Sequence, residues 1–352
     1  MNNKTSITSI IIFLSFIIAG DIGGYSIFEY SNKAFEINRV YFQYTDDLSD
    51  DLFLKIRYDV ARDGVDATGA PTKDGKFVAY LKNAYVDWSC KNGGLLSLGL
   101  IGTNSYGVQE NTWGYRFIEK SSMDLRKFTN TADLGIGYSH NFGNFNINAQ
   151  LLNGEGYKSK QSDDHMATYL RVMYGESKLN KNDGYNIGVV MTTFEGDGAL
   201  YDSSGEACTD VDIPDGCNAN YGDEITAAEE DDASLIGLFG GWSSNKLRLG
   251  VEYNQYESWN DVAEGGLGAL ETQTINSLYA NYSISDKLDI FVKHDMGEWW
   301  VKNDDDDDIL TPDQSISWIG MVCNPSKGLY VSPNVVIEDG ANDYRLTFMF
   351  KY

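Results

Sequence analysis

The last nine residues, Tyr344 to Tyr352, constrain the fold more than any other stretch of the chain. Tyr344, Leu346, Phe348, Phe350 and Tyr352 share one face of an extended strand, and Arg345, Thr347, Met349 and Lys351 share the other. This follows from the alternation of side chains along a strand. The first face is wholly apolar or aromatic. A soluble protein rarely leaves such a strand at a fraying terminus. The closing strand of an outer-membrane β-barrel needs this pattern, since one face meets lipid and the other a wet interior.

The pattern recurs along the chain. Leu52, Leu54, Ile56, Tyr58 and Val60 oppose Phe53, Lys55, Arg57 and Asp59. Phe145, Ile147, Ala149 and Leu151 oppose Asn146, Asn148 and Gln150. Tyr185, Ile187, Val189 and Met191 form a third apolar face, and Leu247, Leu249, Val251 and Tyr253 a fourth. Leu288, Ile290 and Val292 form a fifth, opposed by Asp289, Phe291 and Lys293. None of these faces carries a charge. A Lys or Arg there at mid-bilayer would cost roughly 2–4 kcal/mol.

The amino-terminal stretch fits export. Lys4 precedes an apolar run, Ile7 to Ile18, followed by Ala19 and Gly20. That run is too short to span a membrane as a helix and suits a secretory signal. The sequence therefore predicts a signal peptide over 1–20 and one barrel over 21–352. No later segment approaches 18 consecutive apolar residues, so a membrane-resident chain must cross with strands.

Composition bears on function by exclusion. With 36 Gly, 23 Tyr, 7 Trp and only 5 Pro, the 352 residues suit strands and turns. A formal charge of −25 excludes a nucleic-acid partner. Enzyme signatures such as G-x-S-x-G, H-E-x-x-H or a phosphate loop do not occur. His140, His165 and His294 are scattered.

Connectors alternate in length. Short ones fall at Asp46–Asp51, His140–Asn144, Ser243–Lys246 and Ser285–Asp286, and long ones at Arg62–Lys76, Asn104–Thr131, Asn153–His165, Glu195–Asp232, Trp259–Glu271 and Lys302–Asp313. Short turns at one end and long loops at the other are the barrel's asymmetry, and about sixteen strands are expected. Phe77–Cys90 alternates poorly, and Pro333 interrupts a strand that should be fully bonded. Trp88 and Trp242 at the short-turn end, with Trp259, Trp299 and Trp300 at the long-loop end, are expected to form two aromatic girdles.

Opposite the apolar faces, Arg39, Lys55, Arg57, Arg171, Arg248, Lys293 and Arg345 are expected to point into a lumen, together with Asp59, Asp133, Glu252, Asp289 and Asp295. A basic lining favours anions, and a lining of internal salt bridges is the other reading. Asn104–Thr131 carries Trp113, Arg116, Lys120, Arg126 and Lys127. It is a candidate constriction loop, with a helical turn at Ser122–Phe128; capping the barrel or touching a neighbouring subunit are the alternatives. Glu195–Asp232 is acidic and lacks Lys and Arg. It reads as a solvated loop, or, through Asp210, Asp212 and Asp215, as a weak calcium site. Cys208 and Cys217 lie in it, and exported cysteines that close in sequence are expected to pair. The pairing of Cys90 and Cys323 stays open.

Three short stretches resemble the phosphate-selective porin O and P family. Phe35-Glu-Ile-Asn-Arg39 is similar to its F-x-I-R-R opening strand, Ala132-Asp-Leu-Gly-Ile136 to its R-D-L-G-V strand, and Leu152-Asn-Gly-Glu-Gly156 to its F-N-G-x-G strand end. The resemblance implies a sixteen-stranded barrel in the outer membrane of a Gram-negative-type bacterium, usually a homotrimer, with an inward-folded loop. Asn38 and Ala132 stand where the family often has arginine, and the acidic loops differ from its lysine-rich entry. The expected function is passive diffusion of small hydrophilic solutes or ions, with a weak lean to anions and outer-membrane lipids as surroundings. The alternative is a loop-plugged surface or structural protein with calcium in its acidic loops.

Overall fold

The structure, a computed structural model, describes residues 20–31, 33–62, 75–161, 165–195, 233–260, 269–302, 308–338 and 340–352. Eight strands form the first half: β1 (Asp21–Ser31), β2 (Ala34–Ser49), β3 (Leu52–Arg62), β4 (Phe77–Ser89), β5 (Leu95–Gly102), β6 (Ala132–Phe142), β7 (Phe145–Leu152) and β8 (Ala167–Gly175). Eight more follow: β9 (Gly184–Phe194), β10 (Ala233–Ser244), β11 (Leu247–Asn260), β12 (Ala269–Ser285), β13 (Leu288–Lys302), β14 (Asp308–Ser326), β15 (Leu329–Glu338) and β16 (Ala341–Lys351). Each pairs antiparallel with its sequence neighbours, and β1 also pairs with β16, which closes the sheet into a barrel. At the seam Tyr25 faces Lys351, and Gly24 and Tyr352 exchange backbone hydrogen bonds of 3.0 and 3.1 Å. Closure leaves no edge whose backbone groups would go unpaired in hydrocarbon.

The period-two reading describes the walls. Tyr58, Phe145, Ile147, Tyr185, Ile187, Val251 and Ile290 are exposed on the outside, with Ile187 at 62%. Asp59, Gln150, Asn186, Glu252, Asn254 and Asp295, from the opposite faces, are buried inside. Turns at one end are short: 50–51, 90–94, 143–144, 245–246, 286–287 and 327–328. The eight-residue turn 176–183 is the exception, and Leu179 packs inside it.

Bulges explain where alternation fails. Between β3 and β4, Arg57 faces Asn83 and Tyr58 faces Leu81, so Lys82 is left over. A bulge of this kind re-aims side chains, and both Lys82 and Asn83 are buried. Between β1 and β2, Ile27 faces Arg39 and Phe28 faces Ile37, leaving Asn38 over. Pro333 is accommodated because the β14–β15 ladder has a gap there, between the Gly320–Asn334 and Cys323–Val331 pairs.

The girdle expectation is corrected at one position. Trp88 and Trp242 are exposed at the short-turn end, and Trp88 Nε1 donates to Asp51 at 3.1 Å. Trp299 is buried in the interior at 1% exposure. It has the parity of Phe291, Lys293 and Asp295, which all face inward, and strand parity outranks height in the barrel. The side chains of Trp259 and Trp300 lie outside the description.

Candidate functional site

The 103–131 connector turns into the barrel. It carries α1 (Gly107–Trp113) and α2 (Ser122–Leu125), and the Ser121 hydroxyl caps α2 by accepting from the Asp124 N–H at 3.3 Å. Both helices lie against the inner wall formed by β10 to β12. Trp113 anchors the loop. Its ring meets Tyr115, Tyr279 and Phe291 at 5.5–5.7 Å, and its carbonyl accepts from Arg248 at 3.0 Å and Asn281 at 2.8 Å. The Tyr115 hydroxyl donates to Asp289 at 2.6 Å, and Ser277 donates to Ser122 at 2.9 Å. Gly241 makes the close approach possible, because a Cβ there would lie 2.5 Å from Thr112 Cγ2.

The interior is apolar as well as charged on this side. Met123 and Phe128 of the loop join Val190, Leu235, Phe239, Ile275, Phe291 and Trp318 of the wall in one apolar cluster. Each fully buried large side chain contributes about 1.5–3 kcal/mol, enough in sum to hold the loop down. Two residues expected in the lumen face inward but are covered. Lys293 is 1% exposed, bonded to Asp295 and placed 4.3 Å from the Trp318 ring. Arg248 is tied to the Trp113 carbonyl and lies 5.4 Å over Tyr115.

The opposite wall, β2 to β4, carries most of the remaining cations. Arg39 pairs with Asp59 at 3.0 Å and donates to the Tyr41 hydroxyl. Arg57 donates to Gln43, and its guanidinium lies 5.3 Å over the Tyr41 ring. Lys55 lies 5.9 Å over Tyr85. Lys82, turned inward by the bulge, bonds Thr131 Oγ1 at 2.6 Å and lies 3.9 Å from Asp59. Lys158, from the loop after β7, lies 4.3 Å over Tyr80. Sequence alternation missed Lys82 and Lys158. The broken alternation in 77–90 was the signal for the first; nothing in the pattern marks the second.

Arg171, on β8, donates to Asn146 at 3.0 Å, and Arg345, on β16, pairs with Asp343 at 2.6 Å. On the loop, Arg116 is held between Glu110 and Asp124, both at 2.9 Å. Burial pushes the Glu110 carboxyl above its ordinary value, with the Arg116 charge opposing. Lys120 lies 3.8 Å from Asp124, Arg126 lies 4.1 Å over Trp299, and Lys127 is exposed. Among the described residues no cluster of His, Cys, Asp and Glu could hold a metal ion. Asp210, Asp212, Asp215, Cys208 and Cys217 lie outside the described residues. Cys90 and Cys323 are free thiols and do not pair.

Two of the family-like stretches meet in space. Asp133 accepts from the Gly154 N–H at 2.6 Å, and the Tyr157 N–H donates to the Ala132 carbonyl at 3.0 Å. The Tyr157 hydroxyl then donates to Asp59 at 3.0 Å. The end of the inward loop, the loop after β7 and the basic wall are thus joined.

The family model for phosphate-selective porin O and P matches residues 17–200. No curated protein matches the chain at the sequence level. Among solved structures, the in-vitro folded trimer form of OmpT, an outer membrane protein of Vibrio cholerae, is 12% identical with a TM-score of 0.57, covering 95% of this chain and 99% of that one. Salmonella typhi OmpF in complex with daunomycin is 11% identical with a TM-score of 0.59, over 95% and 97%. A mutant Rh. blastica porin is 13% identical with a TM-score of 0.53, over 95% and 100%. These likenesses, at low identity, carry the fold. With the family match spanning just over half of the chain, the protein belongs to the phosphate-selective porin O and P family and is an outer-membrane porin.

Proposed function

We propose that the protein is a passive diffusion channel for small hydrophilic solutes and ions, with a weak preference for anions, and that it works as a homotrimer. The observation that carries the anion preference is the β2–β4 wall. Lys158, Lys82, Arg39, Arg57 and Lys55 run along it from the outer mouth toward the periplasmic end, with Asp59 among them. The inward loop covers the β9–β15 side and brings Arg116 into the lumen between two acids, so the loop adds little net charge. Residues 1–20 serve as the export signal. The acidic charge that the sequence concentrates in 195–232 draws cations at low salt, and solvent-exposed charges are screened within about 8 Å at 0.15 M salt.

Reversal potentials across a KCl gradient in planar bilayers test this. Chloride should pass more readily than potassium at 1 M salt. Potassium selectivity at that salt would overturn the anion preference, and absence of any conductance would overturn the channel in favour of a loop-plugged surface protein.

A further inference from the structure

Every cation of the basic wall sits over a tyrosine ring. Lys158 lies 4.3 Å from the Tyr80 centroid and 5.9 Å from that of Tyr157. Lys82 lies 4.9 Å from Tyr157 and 5.5 Å from Tyr41. Arg39 and Arg57 share Tyr41 at 5.7 and 5.3 Å, and Lys55 takes Tyr85. From Asp59 to Lys55 along β3 this covers roughly 13 Å at about 3.3 Å per residue. Tyr41 is buried under its cations, whereas Tyr80, Tyr85 and Tyr157 are only half-buried and present ring surface beside the charges.

We propose that this wall selects small organic anions that carry a planar ring, over inorganic phosphate and over non-planar anions of equal charge and size. The proposal rests on the anion reading above and deepens it. A cation held over a ring face keeps its remaining N–H donors for a ligand. A ring-bearing anion can set its charged group on such a donor and its ring on an adjacent tyrosine. Inorganic phosphate gains the charge contact alone and must still leave its hydration shell. Asp59 among the cations weakens the field further for a dianion that approaches closely. Tyr80 and Tyr157 stand at the level of Asp59 and Tyr85 at that of Lys55, so the wall offers ring surface at two heights.

Bi-ionic reversal potentials in planar bilayers test it with two permanently ionised probes of matched size, benzenesulfonate and cyclohexanesulfonate, and with phosphate as a third. An aromatic pair is worth roughly a two- to tenfold preference, so benzenesulfonate should be more permeant than cyclohexanesulfonate by that factor, and than phosphate as well. The preference should fall in a channel carrying Tyr80→Leu and Tyr157→Leu, which keeps only the Tyr85 ring, and survive in Tyr157→Phe, which keeps all three. Equal permeability of the two sulfonates in the wild-type channel overturns the proposal, whatever the variants do. So does an unchanged ratio in the double variant. Chloride passing without this discrimination leaves the anion channel intact and removes only the ring selectivity; absence of anion flux of any kind removes both.

Discussion

Lys82 and Asn83 are consecutive in a β-strand, yet both side chains point into the barrel. The bulge between β3 and β4 adds the residue that makes this possible, and Lys82 thereby reaches Thr131 and Asp59.

Removing that charge should weaken anion preference. A unit charge about 6 Å from a permeating ion in water is worth roughly 0.7 kcal/mol. The charge favours chloride and opposes potassium by the same amount, so Lys82→Met is expected to lower the chloride-to-potassium permeability ratio about tenfold, read from reversal potentials at low salt, with the barrel still assembled.

Trp113 should decide whether the inward loop stays down. Its ring and carbonyl together engage Tyr279, Phe291, Arg248 and Asn281. Truncating a buried Trp costs about 3–5 kcal/mol. Trp113→Ala should give larger and noisier single-channel conductance and protease cleavage within 103–131, while the sixteen-stranded wall persists. Wild-type conductance with an uncut loop would show that the anchor lies elsewhere.

The Asp133–Gly154 link should be needed for stability rather than for charge selection. Its carboxylate accepts N–H bonds from Gly154 and Leu134 at 2.6 and 2.7 Å. Bonds to a charged group are worth about 1.5–3 kcal/mol each, so Asp133→Ala should lower the urea midpoint for unfolding from bilayers. Gly156→Ala should do the same: Gly156 has φ +84°, and a Cβ would meet Asn130 Cγ at 2.3 Å. Ion selectivity is expected to be unchanged in both.

Acidification should not loosen the loop through Glu110. Burial raises that carboxyl above its ordinary value, against the pull of Arg116. A group of this kind binds its proton more readily in the folded than in the unfolded chain. The folded loop therefore gains from proton uptake as pH falls through the raised value, and the gain is complete below the ordinary value. Single-channel conductance should stay level from neutral pH into this range; a rise in wild type that Glu110→Gln abolishes would contradict it.

The outer wall was legible in the sequence because lipid enforces a simple rule. One residue in two must be apolar, and faces such as Leu247–Tyr253 or Tyr185–Met191 obey it over their length. The inner wall obeys no such rule. Val190, Leu235 and Phe239 are apolar on both sides of their strands because the inner side receives the loop, and nothing in β9 or β10 distinguishes that from lipid contact. For the same reason Arg248 reads as a lumen residue, although the loop that holds it lies more than a hundred residues earlier, and Lys293 does so although Asp295 and Trp318 of the wall enclose it. Lys82 was hidden by the bulge. Trp299 was misplaced because its height on the strand was weighed and its parity was not.

The seam between β1 and β16 joins the first strand of the wall to the last. Until Tyr344 to Lys351 arrives, β1 has an unpaired flank, and so does whichever strand was laid down most recently. Contacts between chain ends are the slowest kind to form, and an open sheet edge recruits other strands in the meantime. A sheet that assembles in chain order therefore keeps two open edges until it closes. A factor that shelters those two flanks, or a membrane that admits the sheet only once it closes, is as much a requirement of this topology as the apolar belt.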